Sequence, residues 1–218
     1  MPTLTRLILA FACLLVAPLV VMADELPKDT NKIKSLTVEQ ARRLVADFRG
    51  STVAFMVGKE ARAVSHGGLP LHGLTSLDEQ TAEALSHYRG EHLVLGLTTL
   101  DAATAKALAG FKGEVLVLNG LTTLDAETAN GLAEFNGKEL VLCGLKSLDA
   151  DTAKAIAAFK GQLLHLAGLT TLDADTAKAL AANENWKGRL PALTAFESPD
   201  SVAIAKALAT RKGPLSLP

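Results

Sequence analysis

Cysteine is nearly absent from this chain: Cys13 and Cys143 are the only two in 218 residues. Aromatic residues are scarce, with seven Phe, one Tyr and one Trp. Neither sign of charge is in excess, since 22 Lys and Arg face 23 Asp and Glu for a formal net charge of -1. That balance excludes a long acidic or basic tail and removes the electrostatic footprint expected of a nucleic-acid binder. Long apolar runs are missing too, apart from one near the start. There Arg6 is the only charge, Leu7 to Val21 is apolar, and Val21-Met22-Ala23 offers the residues that a signal peptidase reads before Asp24-Glu25 turns polar. The pattern predicts a secretory signal peptide over residues 1–23, hence a secreted, periplasmic or cell-envelope protein with no membrane span after cleavage. Cys13 sits inside the apolar run, followed by Leu14-Leu15-Val16, which does not suit a lipoprotein signal. Without the leader Cys143 stands alone. No intrachain disulfide is then possible, and stability has to come from packing.

What the chain does contain is a repeat. GLTSLDEQTAEALSHYRGEHLVL begins at Gly73, GLTTLDAATAKALAGFKGEVLVLN at Gly96 and GLTTLDAETANGLAEFNGKELVLC at Gly120. GLKSLDADTAKAIAAFKGQLLHLA follows at Gly144 and GLTTLDADTAKALAANENWKGRLP at Gly168. A looser copy starts at Ser35, and another runs from Leu193 to Leu217. Each unit has two periods. Apolar residues two apart (Leu69 and Leu71, Leu93 and Leu95, Leu116 and Leu118, Leu140 and Leu142, Leu164 and Leu166) predict short strands, and further strands are expected to end at Leu190 and Leu217. An earlier strand is expected at Val53 to Phe55. Sets such as Leu100, Ala105, Leu108 and Phe111, or Leu124, Ala129, Leu132 and Phe135, share one face of a helix.

The helix ends carry their own signals. Asp78, Asp101, Asp125, Asp149 and Asp173 are placed to cap helix N-termini, where a carboxylate accepts from free N–H groups and meets the positive end of the dipole. Thr81, Thr104, Thr128, Thr152 and Thr176 stand three residues on, suggesting a weak capping box. Glycines after basic residues, as in Arg89-Gly90, Lys112-Gly113, Lys160-Gly161, Lys187-Gly188 and Lys212-Gly213, predict left-handed C-caps.

One such unit cannot bury its own apolar face, whereas stacked units share a core. The expected fold is therefore α/β: a right-handed solenoid of strand–turn–helix repeats, with a short-stranded parallel sheet on one side and helices on the other. The expected organisation is a signal peptide over 1–23, a polar linker over 24–34, a divergent N-terminal repeat and loop over 35–68, and the solenoid over 69–218. The Leu116-Val117-Leu118 strand and the Ala105-Lys106-Ala107-Leu108-Ala109 helix resemble the leucine-rich-repeat family, in a bacterial exported variant of 23–24 residues per unit. The chain departs from that family where Leu97, Leu121, Leu145 and Leu169 replace its usual Asn or Cys. The hydroxyls of Thr99, Thr123, Ser147 and Thr171 are the candidates to satisfy the turn instead.

Reading by column narrows the function. Phe48, Tyr88, Phe111, Phe135, Phe159 and Trp186 stand near helix C-termini, and Phe55 and Phe196 take leucine positions. Every aromatic of the mature chain then has a core role, which weighs against stacking on sugars or bases. Helix capping accounts for the aspartate column better than calcium, which needs several oxygens on one ion. The histidines read as surface or loop residues, and no spacing among them matches a zinc site. Cys143 reads as a small filler. No cofactor and no metal is expected. Between the strand leucines, Val94, Val117, Val141 and His165 form one row, and His92, Val115, Glu139 and Leu163 lie beside it. Facing water, such a row is a contact patch. The expected function is thus a non-enzymatic protein-binding or scaffold module acting through Val94, Val115, Val117, Asn119, Glu139, Val141, Cys143 and His165. The alternatives are a self-associating structural protein of the cell envelope, or a metal or enzymatic site in the segment 58–72, around Lys59, Glu60, Arg62, His66 and His72.

Overall fold

The computed structural model describes residues 26–57, 59–186, 189–194 and 201–210. The leader, Phe196 and the strand expected to end at Leu217 lie outside the described residues. Within them the chain is α/β with a mostly parallel sheet. After a 3-10 turn at Thr30–Lys32 come α1 (Val38–Asp47), β1 (Ser51–Val57), β2 (Glu60–Leu71), α2 (Glu79–Ser86), β3 (His92–Leu95) and α3 (Ala102–Ala109). Then follow β4 (Val115–Val117), α4 (Ala126–Ala133), β5 (Glu139–Val141), α5 (Ala150–Ile156), β6 (Leu163–His165), α6 (Ala174–Ala181) and α7 (Ser201–Ala209). The six strands are ordered β1-β2-β3-β4-β5-β6, so each strand pairs with its sequence neighbour. From β2 to β6 the pairing is parallel and in frame: Leu69, Leu93, Leu116, Leu140 and Leu164 stand side by side. Where a strand is expected to end at Leu190, the described residues form isolated bridges instead: Trp186 pairs parallel with Leu164, and Arg189 is a second bridge residue.

The leucine pairs point to the helix layer and are all but fully buried in one cluster with the alanine and leucine faces of α2 to α6. A buried leucine contributes about 1.5–3 kcal/mol, so these columns hold the two layers together. Tyr88, Phe111, Phe135 and Phe159 stack in register, with neighbouring ring centroids 6.1 to 6.4 Å apart. Leu97, Leu121, Leu145 and Leu169 are fully buried, so the position that holds Asn or Cys in leucine-rich repeats serves the core here.

Each capping aspartate does accept from the backbone N–H three residues on, at 2.7 to 2.8 Å. The side chains of Thr128 and Thr152 also hydrogen-bond to the capping carboxylates of Asp125 and Asp149, and the threonines have a second role between units. The hydroxyls of Thr128, Thr152 and Thr176 donate to the carbonyls of Leu100, Leu124 and Leu148 in the preceding unit. They tie neighbouring units together. The turn hydroxyls that bridge units are those of Thr98, Thr170 and Thr194, which donate to Thr75, Lys146 and Thr170 carbonyls. Thr99, Thr123, Ser147 and Thr171 are instead exposed.

The glycine C-caps are a second correction. Gly90, Gly113 and Gly161 do not adopt a left-handed conformation. Gly113 is required for a different reason: a side chain there would overlap the ring of Phe111, which folds over it. Gly188 and Gly213 lie outside the described residues. In the segment 24–34, the described residues, 26–34, include the 3-10 turn, and Ile33 is 3% exposed and part of the main core.

Candidate binding face

The irregular segment expected before His72 is a twelve-residue strand, and Val53 to Phe55 belongs to a hairpin, not to the parallel frame. The last residues of β2, Gly68 to Leu71, pair parallel with β3. Its first part pairs antiparallel with β1, Val53 opposite Val64 and Val57 opposite Glu60. This hairpin forms an arm that leaves the sheet near Gly67 and folds back across the sheet face turned away from the helices.

Four contacts trace the arm's course. The Phe55 ring lies 6.5 Å from that of His92 on β3. Asn119, just past β4, donates through Nδ2 to the Met56 carbonyl at 2.7 Å and accepts through Oδ1 from the Cys143 N–H at 3.0 Å. The Arg62 guanidinium pairs with Glu139 on β5 at 3.0 Å. Beyond β6, Glu60 pairs with Arg189. A seven-residue strand spans about 23 Å, enough to cross these neighbours at about 4.8 Å each.

Period-two patterning gives β1 two faces. Val53, Phe55 and Val57 are 0–6% exposed and form a second hydrophobic cluster with Val94, Val115, Val117 and Val141, against which Cys143 packs. The residues expected to face water as a contact patch are therefore covered: Val94 and Val117 are 1% exposed and Val141 is fully buried. The reason is tertiary. An apolar row on a sheet is stable in water when something apolar lies on it, and the arm is that cover.

The structure does bring the eight expected residues together on one face and its rim. Glu139 and His165 form a polar cluster at the far end of the valine row, with His165 Nε2 3.2 Å from Glu139 Oε2. His165 is 5% exposed and His92 7%, so these two are core residues and not the surface or loop histidines expected. Burial holds the His165 imidazole below its ordinary value; Glu139 pulls it upward, while Arg62 and Arg189 add to the lowering. Hydrogen bonding and the charge of Arg189 hold the exposed Glu60 carboxyl below its usual range.

Sequence reasoning missed the arm as a partner of this face. Its signal is the alternation Val53-x-Phe55-x-Val57, which runs two residues past the strand expected at Val53 to Phe55. Arg62 and Glu60, expected only in a metal or enzymatic alternative, are the ion-pairing residues at the arm's tip. His72 is exposed at the end of β2, and the His66 side chain lies outside the described residues. Among the described residues no three His, Cys, Asp or Glu side chains are grouped to hold a metal ion, and no helix is long and apolar enough to cross a membrane. Comparison with known proteins finds no matching family model, no matching curated protein and no matching solved structure.

Proposed function

We propose that this chain is an exported, non-enzymatic repeat protein that works as a protein-binding or scaffold module through its sheet face. In this reading residues 69–218 form a right-handed leucine-rich-repeat-like solenoid, and the protein acts outside the cytoplasm after cleavage at Ala23. The observation that carries it is the arm itself. The face already grips an extended polypeptide, with alternating apolar side chains on the valine row and paired charges at Glu139 and Arg189. A surface with those properties suits a partner that presents an extended strand, and regular stacking of units supplies the length such a surface needs.

Capture from an envelope fraction tests the reading. The mature protein should retain a partner, and a variant whose arm is tethered by a disulfide between Met56→Cys and Asn119→Cys, in a Cys143→Ser background, should lose it. Equal capture by the tethered and free forms would place the working surface elsewhere. N-terminal sequencing of the exported chain should start at Asp24; an intact Met1 on a membrane-bound species would overturn the assignment of export by cleavage.

A further inference from the structure

The arm joins the rest of the chain through two short roots. Three residues, Phe48–Gly50, separate α1 from β1. On the other strand Gly67 and Gly68 mark the change from antiparallel to parallel pairing. Gly50 at φ 87° and Gly67 at φ 73° are the two positive-φ residues among those described. Both strands of the arm thus pass through glycine at the same level. That is where a hairpin can swing as one piece, because glycine reaches other backbone regions without steric cost.

The arm is also apolar on both faces. Val53, Phe55 and Val57 cover the sheet, while Ala54, Met56, Ala61 and Ala63 are exposed on the outer side. Met56 is 46% exposed and is one of two large apolar side chains left in water among the described residues. The charges that fix the arm lie toward its tip, Glu60 with Arg189 and Arg62 with Glu139.

We infer that the sheet face accepts the arm of a second copy of this chain, so that two molecules exchange arms. The inference rests on the reading of that face as the working surface and names its occupant. Among the described segments, the arm is the one whose apolar alternation fits the valine row and whose charges fit Glu139 and Arg189. Exchange preserves all of those contacts, since the same residues close on the same face in another molecule. Short roots with a hinge on each strand favour such exchange. The exposed outer face of Met56 and the alanines supplies extra apolar surface for a pair to bury, which two closed monomers leave in water.

A charge swap tests the exchange. Arg62→Glu alone sets two carboxylates against each other, and Glu139→Arg alone sets two guanidinium groups together. In an equal mixture an exchanged pair restores both ion pairs: position 62 of the first chain meets position 139 of the second, and Arg62 of the second meets Glu139 of the first. Light scattering should show the mixture enriched in a species of twice the monomer mass relative to either variant alone. A mixture that stays monomeric while both variants keep their helical circular dichroism would overturn the exchange.

If either variant fails to fold, Arg62→Lys serves instead. Isotope-labelled and unlabelled chains are refolded together and treated with a carbodiimide, which joins an amine at position 62 to the Glu139 carboxyl. A 62–139 linked peptide carrying both isotopes shows exchange, and same-isotope links alone overturn it. Loss of exchange with retained, tether-sensitive capture of another protein would remove this inference and leave the binding function standing.

Discussion

Gly50 and Gly67 stand against each other at the root of the arm: a Cβ built on Gly50 would lie 2.9 Å from the Gly67 Cα. The same addition at Gly67 meets nothing closer than the Glu91 nitrogen at 3.5 Å, which is ordinary contact. Gly67→Ala should therefore cost only the left-handed backbone, about 1–2 kcal/mol. Gly50→Ala adds a steric clash to that and should cost more. Denaturant melts of the two variants check the order. Equal losses would mean that the arm shifts to make room at Gly50.

Val117 separates the two ways of reading the sheet. Facing water, it would tolerate lysine within about 1 kcal/mol. It is 1% exposed under the arm, so Val117→Lys places a charge in an apolar cluster, and the cheapest relief is for the arm to lift. We expect rapid tryptic cleavage at Lys59 or Arg62 with helical circular dichroism preserved. Leu118→Ala empties the main core instead and should lower global stability by about 2–5 kcal/mol. Slow cleavage at the arm together with full loss of helix in Val117→Lys would show that the arm and the sheet unfold as one unit.

Asp125 caps α4 by accepting from the Thr128 N–H at 2.8 Å, and that backbone bond is the largest cause of its carboxyl lying below the ordinary 3.8. A lowered carboxyl pKa gives stability that is present above pH 3.8 and is lost as the pH falls through the folded value. Asp125→Ala should cost about 1 kcal/mol near neutral pH and progressively less in acid. The cost should be the same with calcium or a chelator present. A calcium-dependent Tm in the wild type that vanishes in the variant would make Asp125 a metal ligand.

His165 gives a pH dependence of the opposite chemical type and the same direction. Its folded pKa lies below the ordinary 6.5, mainly through burial, so the folded chain holds it neutral while the unfolded chain takes up a proton. The stability it allows is complete above pH 6.5 and declines as the pH falls below it. The wild-type Tm should drop between about pH 8 and about pH 5.5, and His165→Val, which matches the rest of its row, should flatten that drop. A histidine resonance at position 165 that titrates above 6.5 would reverse the sign and make the Glu139 attraction dominant.

The parallel strands, the helix starts and the aromatic column were legible because each depends on local chemistry repeated at a fixed spacing. Asp101 caps its own helix through a residue three positions away. Leu93 and Leu95 face one way because side chains alternate along a strand. Repetition then sets the register: once one unit pairs with the next, Leu116 stands beside Leu140 and Leu140 beside Leu164. The same logic put Val94, Val117 and Val141 in one row, and in the structure they share one buried cluster.

What covers that row was decided only in three dimensions. Whether a row of valines meets water or protein is a matter of which segment comes back over it, and no spacing within the repeat encodes that. Val53, Phe55 and Val57 have the alternation of any strand; they become the cover because the chain reverses beyond Val57 and swings through Gly67. Arg62 finds Glu139 across 77 residues, and Glu60 finds Arg189 across 129. Sequence therefore determined the strands, the helix starts and the register of the parallel pairing, which local hydrogen bonding and period fix. The tertiary structure alone decided that the sheet face is occupied, because that outcome is set by long-range burial of apolar surface and by ion pairs between segments far apart in the chain.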